Sequence, residues 1–376
     1  MTYKSNGLYI HIPFCLAKCD YCDFLSFADK QNQWTSYKNA LISEISGYDF
    51  INPIDTIYIG GGTPTVWPSS FLSELLQALP PTLPNAEITC EANPGTLTAE
   101  KISALYFGGV NRISLGLQAC QPHLLESIGR QTAYETFLEN FHALRCQGFK
   151  NINVDIMFAL PYQNLADWEE TLQNIAALDP EHISAYALTP EEHTPLWPRF
   201  GENICDEVTD RLMYHRCKAF LQEYGYVQYE LSNFCKPGYE SRHNLRYWTR
   251  KPYTGLGLGS HSFDGNSRWH NTTDLQQYLA VNLTSNHTNN KKSRCNHTTI
   301  NKTEAMSEFM FLGLRKTNGI SVAGFLKEFG QLPREVYGPW IVKMEEDKLL
   351  QEKNGRIFLT DYGMDLANRV MAGFLE

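Results

Sequence analysis

Six short β-rich segments alternate with helix-length stretches through the first half of the chain. The strand candidates are Leu8–Ile12, Thr56–Ile59, Glu87–Cys90, Arg112–Leu117, Asn153–Phe158 and His182–Tyr186. The stretches between them are long enough for the crossover helices of βαβ units: Trp34–Ser46, Ser69–Leu79, Ala99–Phe107, Tyr134–Gln147 and Trp168–Leu178. The pattern predicts an α/β fold with a parallel sheet. Six units, with candidate ligands directly after several strands, favour a partial (β/α)6 TIM-like barrel over an open sheet.

The second half of the chain follows a different pattern. After Pro190 the alternation stops, and a helix from about Cys205 to Tyr224 leads into the extended stretch Tyr226–Phe234. Residues 284–303 are almost free of apolar side chains, so they predict a polar linker or loop. Three helix candidates and an Asn-Gly turn follow, at Glu304–Arg315, Val322–Phe329, Val336–Glu346 and Asn354-Gly355. They predict a mainly helical, winged-helix-like domain.

We therefore expect four parts: a barrel over residues 1–235, a region over 236–283, the linker over 284–303 and a C-terminal domain over 304–376. The winged helix is interpreted as a packing or partner-binding unit, because it is not conspicuously basic.

Composition excludes several classes of protein. A net charge of −9 without a basic run argues against nucleic-acid binding. The chain has neither the flanks of a signal peptide nor about 20 consecutive apolar residues for a membrane helix, so we expect a cytoplasmic protein. In that setting the ten cysteines stay reduced, and a tight cysteine cluster indicates a metal site.

Cys15, Cys19 and Cys22 form such a cluster, with the spacing C-x3-C-x2-C. One loop with this spacing can present three thiolates to one compact centre. A [4Fe–4S] cluster needs four ligands, so three cysteines leave one iron free to bind a small molecule. Structural zinc is the alternative, but it needs a fourth ligand; His11 lies in a predicted strand, and the nearby aspartates are harder donors.

A glycine run follows the second predicted strand, at Gly60-Gly61-Gly62-Thr63-Pro64. Bare backbone after a strand lets the polar end of a ligand approach closely. The run matches neither a dinucleotide-binding nor a phosphate-loop pattern, so alone it is a weak signal.

Together these motifs resemble the radical S-adenosylmethionine (SAM) superfamily. The closest resemblance is to the branch that contains the oxygen-independent coproporphyrinogen III oxidases and related haem chaperones, and it covers nearly the whole chain. It rests on YIHIPFCLAKCDYCDF (9–24), IGGGTPT (59–65), CEANPG (90–95), RISLGLQA (112–119), VDIMFALP (154–161) and HNLRYW (243–248).

The resemblance implies a set of ligand-binding residues. The three cysteines would hold the cluster, and its open iron would bind the amine and carboxylate of SAM. Gly61, Gly62 and Thr63 would contact the methionyl end. The carboxylate, sulfonium or ribose groups would be held by Glu91, Gln118, Arg130 and Asp155, and the pocket would be bordered by Tyr9, Tyr21 and Ala187. Without the resemblance, Asp155 could equally be a turn former and Arg130 a surface ion-pair member.

Two features separate the branches. The oxidase pattern has a further cysteine where this chain has Phe24, and a longer segment before the first strand. The hexapeptide HNLRYW matches the HNxxYW signature of the haem-chaperone group, in which His243 would offer an imidazole to haem iron. Tyr247 and Trp248 would face the porphyrin, and Arg242 or Arg246 a propionate. The other interpretation makes the aromatics core anchors; His261 and His270 are the alternative haem ligands.

The expected function is therefore that of a haem chaperone carrying a [4Fe–4S] cluster and SAM, with haem as cargo for apoproteins such as respiratory haem enzymes. The competing hypothesis is a radical enzyme that cleaves SAM to oxidise a tetrapyrrole precursor. No residue is assigned a catalytic role, and a homodimer or transient membrane contact is left open.

Overall fold

The fold is built on six parallel strands. The computed structural model describes residues 5–202, 204–284 and 294–375. The strands are β1 (Asn6–Ile12), β2 (Ile54–Gly61), β3 (Thr82–Ala92), β4 (Arg112–Gln118), β5 (Ile152–Phe158) and β6 (His182–Ala187). Each pairs in parallel with the next in chain order. All six predicted strands are confirmed, although β3 begins earlier than the prediction, at Thr82.

Helices connect these strands across the outer face of the sheet. They are α1 (Trp34–Ser46), α2 (Ser69–Ala78), α3 (Ala99–Phe107), α4 (Pro122–Ser127), α5 (Tyr134–Gln147) and α6 (Leu165–Ala177). Helix α6 shows why they form: Asn164 and Asp167 make a capping box at its start, and its Trp168, Leu172 and Ile175 are fully buried. Such apolar faces cover the sheet as in a TIM-like barrel.

The sheet is extended beyond both of its edges. After α7 (Trp197–Phe200) and α8 (Glu207–Glu223), the hairpin β7 (Val227–Glu230) and β8 (Asn233–Cys235) pairs antiparallel with β6. Next come α9 (Arg242–Trp248), β9 (Tyr253–Leu256), β10 (His261–Phe263), β11 (Ser267–Asn271), α10 (Leu275–Thr284) and β12 (Arg294–Thr299). Strand β9 pairs with β1, so the strand order is β12-β11-β10-β9-β1-β2-β3-β4-β5-β6-β8-β7. In the described residues β1 and β6 do not pair, which leaves the barrel partial.

Two predicted boundaries differ from this architecture. Residues 236–283 do not form a separate region, because β9 to β11 continue the barrel sheet from β1. The predicted loop over 284–303 contains strand β12, while its residues 285–293 lie outside the described part. A strand at this edge needs little apolar burial, because pairing with β11 satisfies its backbone. The guanidinium of Arg294 also lies 5.0 Å from the centre of the Trp269 ring.

The C-terminal part has its own apolar core, as predicted. Its elements are α11 (Lys302–Leu314), β13 (Ile320–Ser321), α12 (Val322–Phe329), α13 (Pro333–Glu346), β14 (Leu350–Lys353), β15 (Arg356–Leu359), α14 (Asp361–Asp365) and α15 (Ala367–Ala372). Asn354 and Gly355 both have positive φ, as a two-residue hairpin turn of type I′ requires. The helices with a β13-β15-β14 sheet match the winged-helix prediction. Within the described ranges, no helix is both long and apolar enough to cross a bilayer.

This domain is fastened to the barrel beside α9. Arg250, whose side chain is 3% exposed, donates to Glu308 of α11 at 3.0 Å and to Glu328 of α12 at 2.9 Å. The guanidinium of Arg315 lies 4.4 Å from the centre of the Trp248 ring. Because the pair of Arg250 with Glu308 is buried, removing one partner would leave a costly unpaired charge. Helix α9 therefore lies between the two domains.

Candidate functional site

A cavity of about 330 Å³ lies inside the barrel and reaches from the cysteine loop towards α9. Most of the residues predicted to bind cluster or SAM line it: Cys15, Cys19, Tyr21, Cys22, Gly61, Gly62, Thr63, Glu91, Gln118, Arg130 and Asp155. Most of them lie near or just after the carboxyl ends of β1 to β4, where parallel sheets place their ligands, whereas Asp155 lies in the middle of β5 and Arg130 follows α4. Tyr9 and Ala187 do not line this cavity. Tyr9 Oη instead forms a hydrogen bond with His11 Nδ1, at 2.9 Å.

The cysteine loop follows β1 and is held by backbone bonds. Cys15 N donates to Phe27 O at 3.0 Å, and Cys22 N donates to Cys19 O at 3.1 Å. Burial raises the pKa of the Cys15 and Cys22 thiols. Thr63 Oγ1 lies 3.7 Å from Cys15 Sγ and offsets part of that shift. The loop thus presents three thiols to one cavity, and no disulfide joins any described cysteine.

The three thiols line one cavity without forming a site for a single ion. In the described ranges, no three His, Cys, Asp or Glu side chains converge closely enough to hold one metal ion. A [4Fe–4S] cluster does not require such convergence, because each cysteine binds a different iron atom. Arg130 Nη1 lies 3.9 Å from Cys19 Sγ, so two sulfurs have a donor group nearby. Donors to the sulfurs are a usual feature of such centres.

The glycine turn after β2 packs directly against the cysteine loop. Gly61 has φ +113, and a Cβ on Gly62 would lie 2.6 Å from Phe14 O. Gly62 N donates to Ile12 O at 2.8 Å, and Thr63 N donates to Phe14 O at 2.7 Å. The glycines are therefore needed for close approach of two backbone segments, in addition to the predicted approach of a ligand.

Two buried carboxyl groups face the cavity. Glu91 accepts hydrogen bonds from Tyr58 Oη at 2.7 Å and Gly61 N at 3.1 Å, and burial raises its pKa to about 7. Asp155 accepts from Asn153 Nδ2 at 2.8 Å, and burial raises its pKa as well. Neither makes an ion pair with another described residue. Arg112 lines the same cavity, and its charge offsets part of both pKa shifts. Desolvated carboxyls that form no direct ion pair suit a ligand that carries positive charge or hydroxyl groups.

Gln118 and Arg130 differ in how their polar groups are used. Gln118 has φ +79, and its buried Oε1 has no hydrogen-bond partner among the described residues. Such an acceptor is rare in a native structure and fits a polar ligand in the cavity. Arg130 Nη2 donates to Asn93 Oδ1 at 2.9 Å and to Gly116 O. These bonds use much of the donor capacity of Arg130, and they connect the turn after β3 with strand β4.

Sequence reasoning missed several lining residues, namely Tyr58, Asn93, Arg112, Ser114, Asn153, Ser184, Tyr186, Asn233 and Asn244. A signal existed in β4, where Arg112, Ser114 and Gln118 stand two or four residues apart in an otherwise apolar strand. Alternation places them on the inner face. Asn233 and Asn244 come from segments with no such pattern.

His243 lies at the opposite end of the cavity, in the core. Its Nδ1 lies 3.0 Å from Thr56 Oγ1 and its Nε2 lies 2.9 Å from Tyr247 Oη. The side chain is fully buried, and its ring centre lies 5.4 Å from that of Tyr58. Burial lowers the pKa of His243 to about 3. In this arrangement both ring nitrogens are engaged and no haem can reach them, so the geometry opposes the predicted haem-ligand role.

Three of the other predicted haem contacts are bonded to the protein. Arg246 donates to Pro252 O at 2.9 Å and to Asp55, and Arg242 donates to Asn85 O at 2.6 Å. His270 is bonded at both nitrogens, whereas His261, 5.0 Å away between ring centres, is exposed. Within the HNxxYW helix, only His243 and Arg246 are buried.

The burial of His243 predicts acid sensitivity. Its pKa is about 3 in the fold and about 6.5 unfolded, so the unfolded state binds the extra proton and the fold loses stability as the pH falls below about 6.5. His243→Gln should reduce the loss of unfolding free energy between about pH 7 and about pH 5 by about 2 kcal/mol. Urea unfolding at both pH values measures this. His193→Gln, at an exposed site, is the control; equal pH dependence in both variants would contradict the prediction.

Two family models and several relatives match this chain. Residues 9–175 match the radical SAM superfamily, and residues 300–366 match the HemN C-terminal domain. A heme chaperone HemW of Lactococcus lactis is 35% identical, with 100% of this chain and 98% of that protein covered. The HemW of Bacillus subtilis is 35% identical over 98% of this chain and 99% of that protein. The HemW of Escherichia coli is 36% identical over 68% of this chain and 69% of that protein.

A solved structure agrees at the level of the fold. Coproporphyrinogen III oxidase (HemN) from Escherichia coli, described as a radical SAM enzyme, superposes with a TM-score of 0.83. The match covers 99% of this chain and 90% of that one at 20% sequence identity. At this identity it shows a shared fold and does not indicate a shared substrate. Together with the HemW relatives over the full length, these matches establish that the chain belongs to the HemW family of the radical SAM superfamily.

Proposed function

We propose that this protein is a cytoplasmic haem chaperone that binds a [4Fe–4S] cluster, SAM and haem, and delivers haem to apoproteins such as respiratory haem enzymes. The observation that carries the proposal is the convergence of three thiols and several strand-end polar groups on one cavity. Its support on the haem side is the name of the full-length relatives, heme chaperone HemW.

In this proposal the three cysteines of the loop hold the cluster. The cluster would supply the electron that reduces the sulfonium of SAM. Thr63 and Arg130 place donor groups 3.7 Å and 3.9 Å from the sulfurs of Cys15 and Cys19. The hydroxyl of Thr63 favours the thiolate form of Cys15 and so offsets part of the effect of burial on its pKa. The glycine turn holds the loop at the carboxyl ends of β1 and β2.

SAM occupies the cavity in this proposal. The volume of the cavity, about 330 Å³, lies within the range of small-molecule sites. Glu91 and Asp155 supply negative charge for the sulfonium and acceptors for hydroxyl groups, and Gln118 supplies an acceptor without a protein partner. The chemistry of the lining matches a ligand that carries a cation and a polar sugar.

Cys19→Ala should abolish the cluster, because only two thiolates then remain in the loop. Iron content and visible absorption after anaerobic reconstitution measure this. Cys146→Ala removes an exposed cysteine outside the cavity and should retain both signals. Full iron content in Cys19→Ala would contradict the cluster assignment.

SAM affinity should depend on the ionisation of Glu91. The pKa of Glu91 is about 7, so the carboxyl is mostly neutral below that pH and charged above it. Since a cationic ligand prefers the charged form, affinity should increase as the pH rises through about 7. In Glu91→Gln it should be about tenfold weaker at about pH 8, with a flatter pH profile. Calorimetric titration measures this.

Glu139→Gln is the matched control, because Glu139 is exposed and lies outside the cavity. It should retain the affinity and pH profile of the original protein. A Glu91→Gln variant that keeps both would remove Glu91 from the SAM site.

One experiment separates chaperone from oxidase. The reconstituted protein is incubated with SAM, a reductant and coproporphyrinogen III, and protoporphyrinogen is assayed; in parallel, haem is titrated and the Soret band is followed. We expect saturable haem binding without product. Sustained formation of protoporphyrinogen would overturn the chaperone proposal in favour of the oxidase.

A further inference from the structure

A second cavity lies beside the SAM cavity, between strand β6 and the C-terminal domain. Its volume is about 500 Å³, and one wall comes from β6 while the opposite wall comes from residues 364–369. We call it the junction groove. Tyr186 and Ser232 line both cavities, so the two are direct neighbours. Ala187, which was predicted to border the SAM pocket, lines the junction groove instead, and the other predicted SAM residues do not.

The walls of the junction groove are partly apolar. Phe158 and Ala185 contribute from the barrel, and Leu231, Leu366 and Ala367 line it further. A flat macrocycle with apolar faces fits such walls, and a volume of about 500 Å³ is in the range of sites for large cofactors.

One cationic group of the groove is available to an anionic ligand. Arg211 pairs with Asp210 and Asp365, and Arg315 lies 4.0 Å from Glu230. Arg369 is exposed and makes no ion pair within the described chain. Its guanidinium group therefore suits a carboxylate of the ligand.

Met364 is the best donor to iron that the groove offers. Its lining contains no histidine or cysteine among the described residues; the other donors are Tyr186 and Tyr214. Burial raises the pKa of both phenols, which keeps them protonated and makes them poor ligands. A thioether binds haem iron without losing a proton. Met364 Sδ lies 3.9 Å from Tyr214 Oη, which fixes its position in the wall.

We propose that haem binds in the junction groove, with its macrocycle against the apolar walls, its iron near Met364 Sδ and a propionate at Arg369. This inference rests on the proposed haem-chaperone function and assigns its cargo a site. It also removes the conflict at His243, because that buried side chain is not required as a ligand. Haem would then lie beside SAM, separated from it by Tyr186.

The test is a titration of the full, reconstituted chain with haemin, oxidised and dithionite-reduced. Arg369→Glu should bind haem about tenfold more weakly at low salt, since a charge-assisted contact is replaced by repulsion. Arg369→Lys should stay close to the original affinity. Lys353→Glu makes the same change in net charge at an exposed site outside the groove and should leave the affinity unchanged.

A second set of variants tests whether Met364 binds the iron and whether haem occupies the groove. Met364→Leu keeps the apolar volume but removes the thioether, so the iron loses its ligand from the groove and the visible bands of reduced haem should shift. Thr189→Trp fills the exposed edge of the groove and should weaken binding, whereas Thr189→Ser should not.

The outcomes separate the two proposals. If the original protein binds no haem, both the chaperone function and the haem site are wrong. If it binds haem and the Arg369→Glu, Met364→Leu and Thr189→Trp variants bind with the same affinity and spectrum, only the junction groove is wrong. Weaker binding in these variants, with iron and SAM binding retained, supports the site.

Discussion

The close contact between the cysteine loop and the glycine turn governs the geometry of the site. Gly62 N and Thr63 N donate to Ile12 O and Phe14 O, so the pairing of β1 with β2 continues past the ends of both strands. The contact leaves no room for a Cβ at Gly62. It places Cys15 next to Thr63 and brings the loop over the cavity. Without this approach, the thiols would have no defined position relative to the carboxyls inside the barrel.

The interior of the barrel is polar, which is unusual for a packed core. Glu91 and Asp155 are buried there beside Arg112, whose Nε has no hydrogen-bond partner among the described residues. Burying such groups costs free energy that a bound ligand can recover. At the other end, α9 closes this interior: His243 contacts Thr56, and its ring lies beside Tyr58, which donates to Glu91. The HNxxYW helix thus contacts the barrel cavity in two ways, through Tyr58 and through its own Asn244, which lines the cavity.

Much of the barrel could be predicted from sequence because its signals are local. Apolar runs of strand length and helix-length spacers identify each βα unit, and the order of parallel strands follows from short right-handed connections. Most cluster and SAM candidates could also be predicted, since the cysteines and the glycine turn lie at or just after the carboxyl ends of β1 and β2, which a parallel sheet places side by side. Arg112 and Ser114 on the inner face of β4 were missed, although they alternate in sequence with apolar residues and lie in the same strand as the predicted Gln118. Strand β12 was missed because its stability comes from pairing with β11 and not from apolar residues of its own.

The sequence by itself determined the three-thiol spacing, the glycine turn and the succession of βα units, because each depends on neighbouring residues and on general rules of chain connection. Only the tertiary structure decided the role of the His243 helix, since burial of that ring depends on contacts with β2 and β3, which lie far away in the sequence. The junction groove is a tertiary feature for the same reason. Ala185, Arg315 and Arg369 meet there because one domain packs on the other. No local sequence pattern predicts that contact.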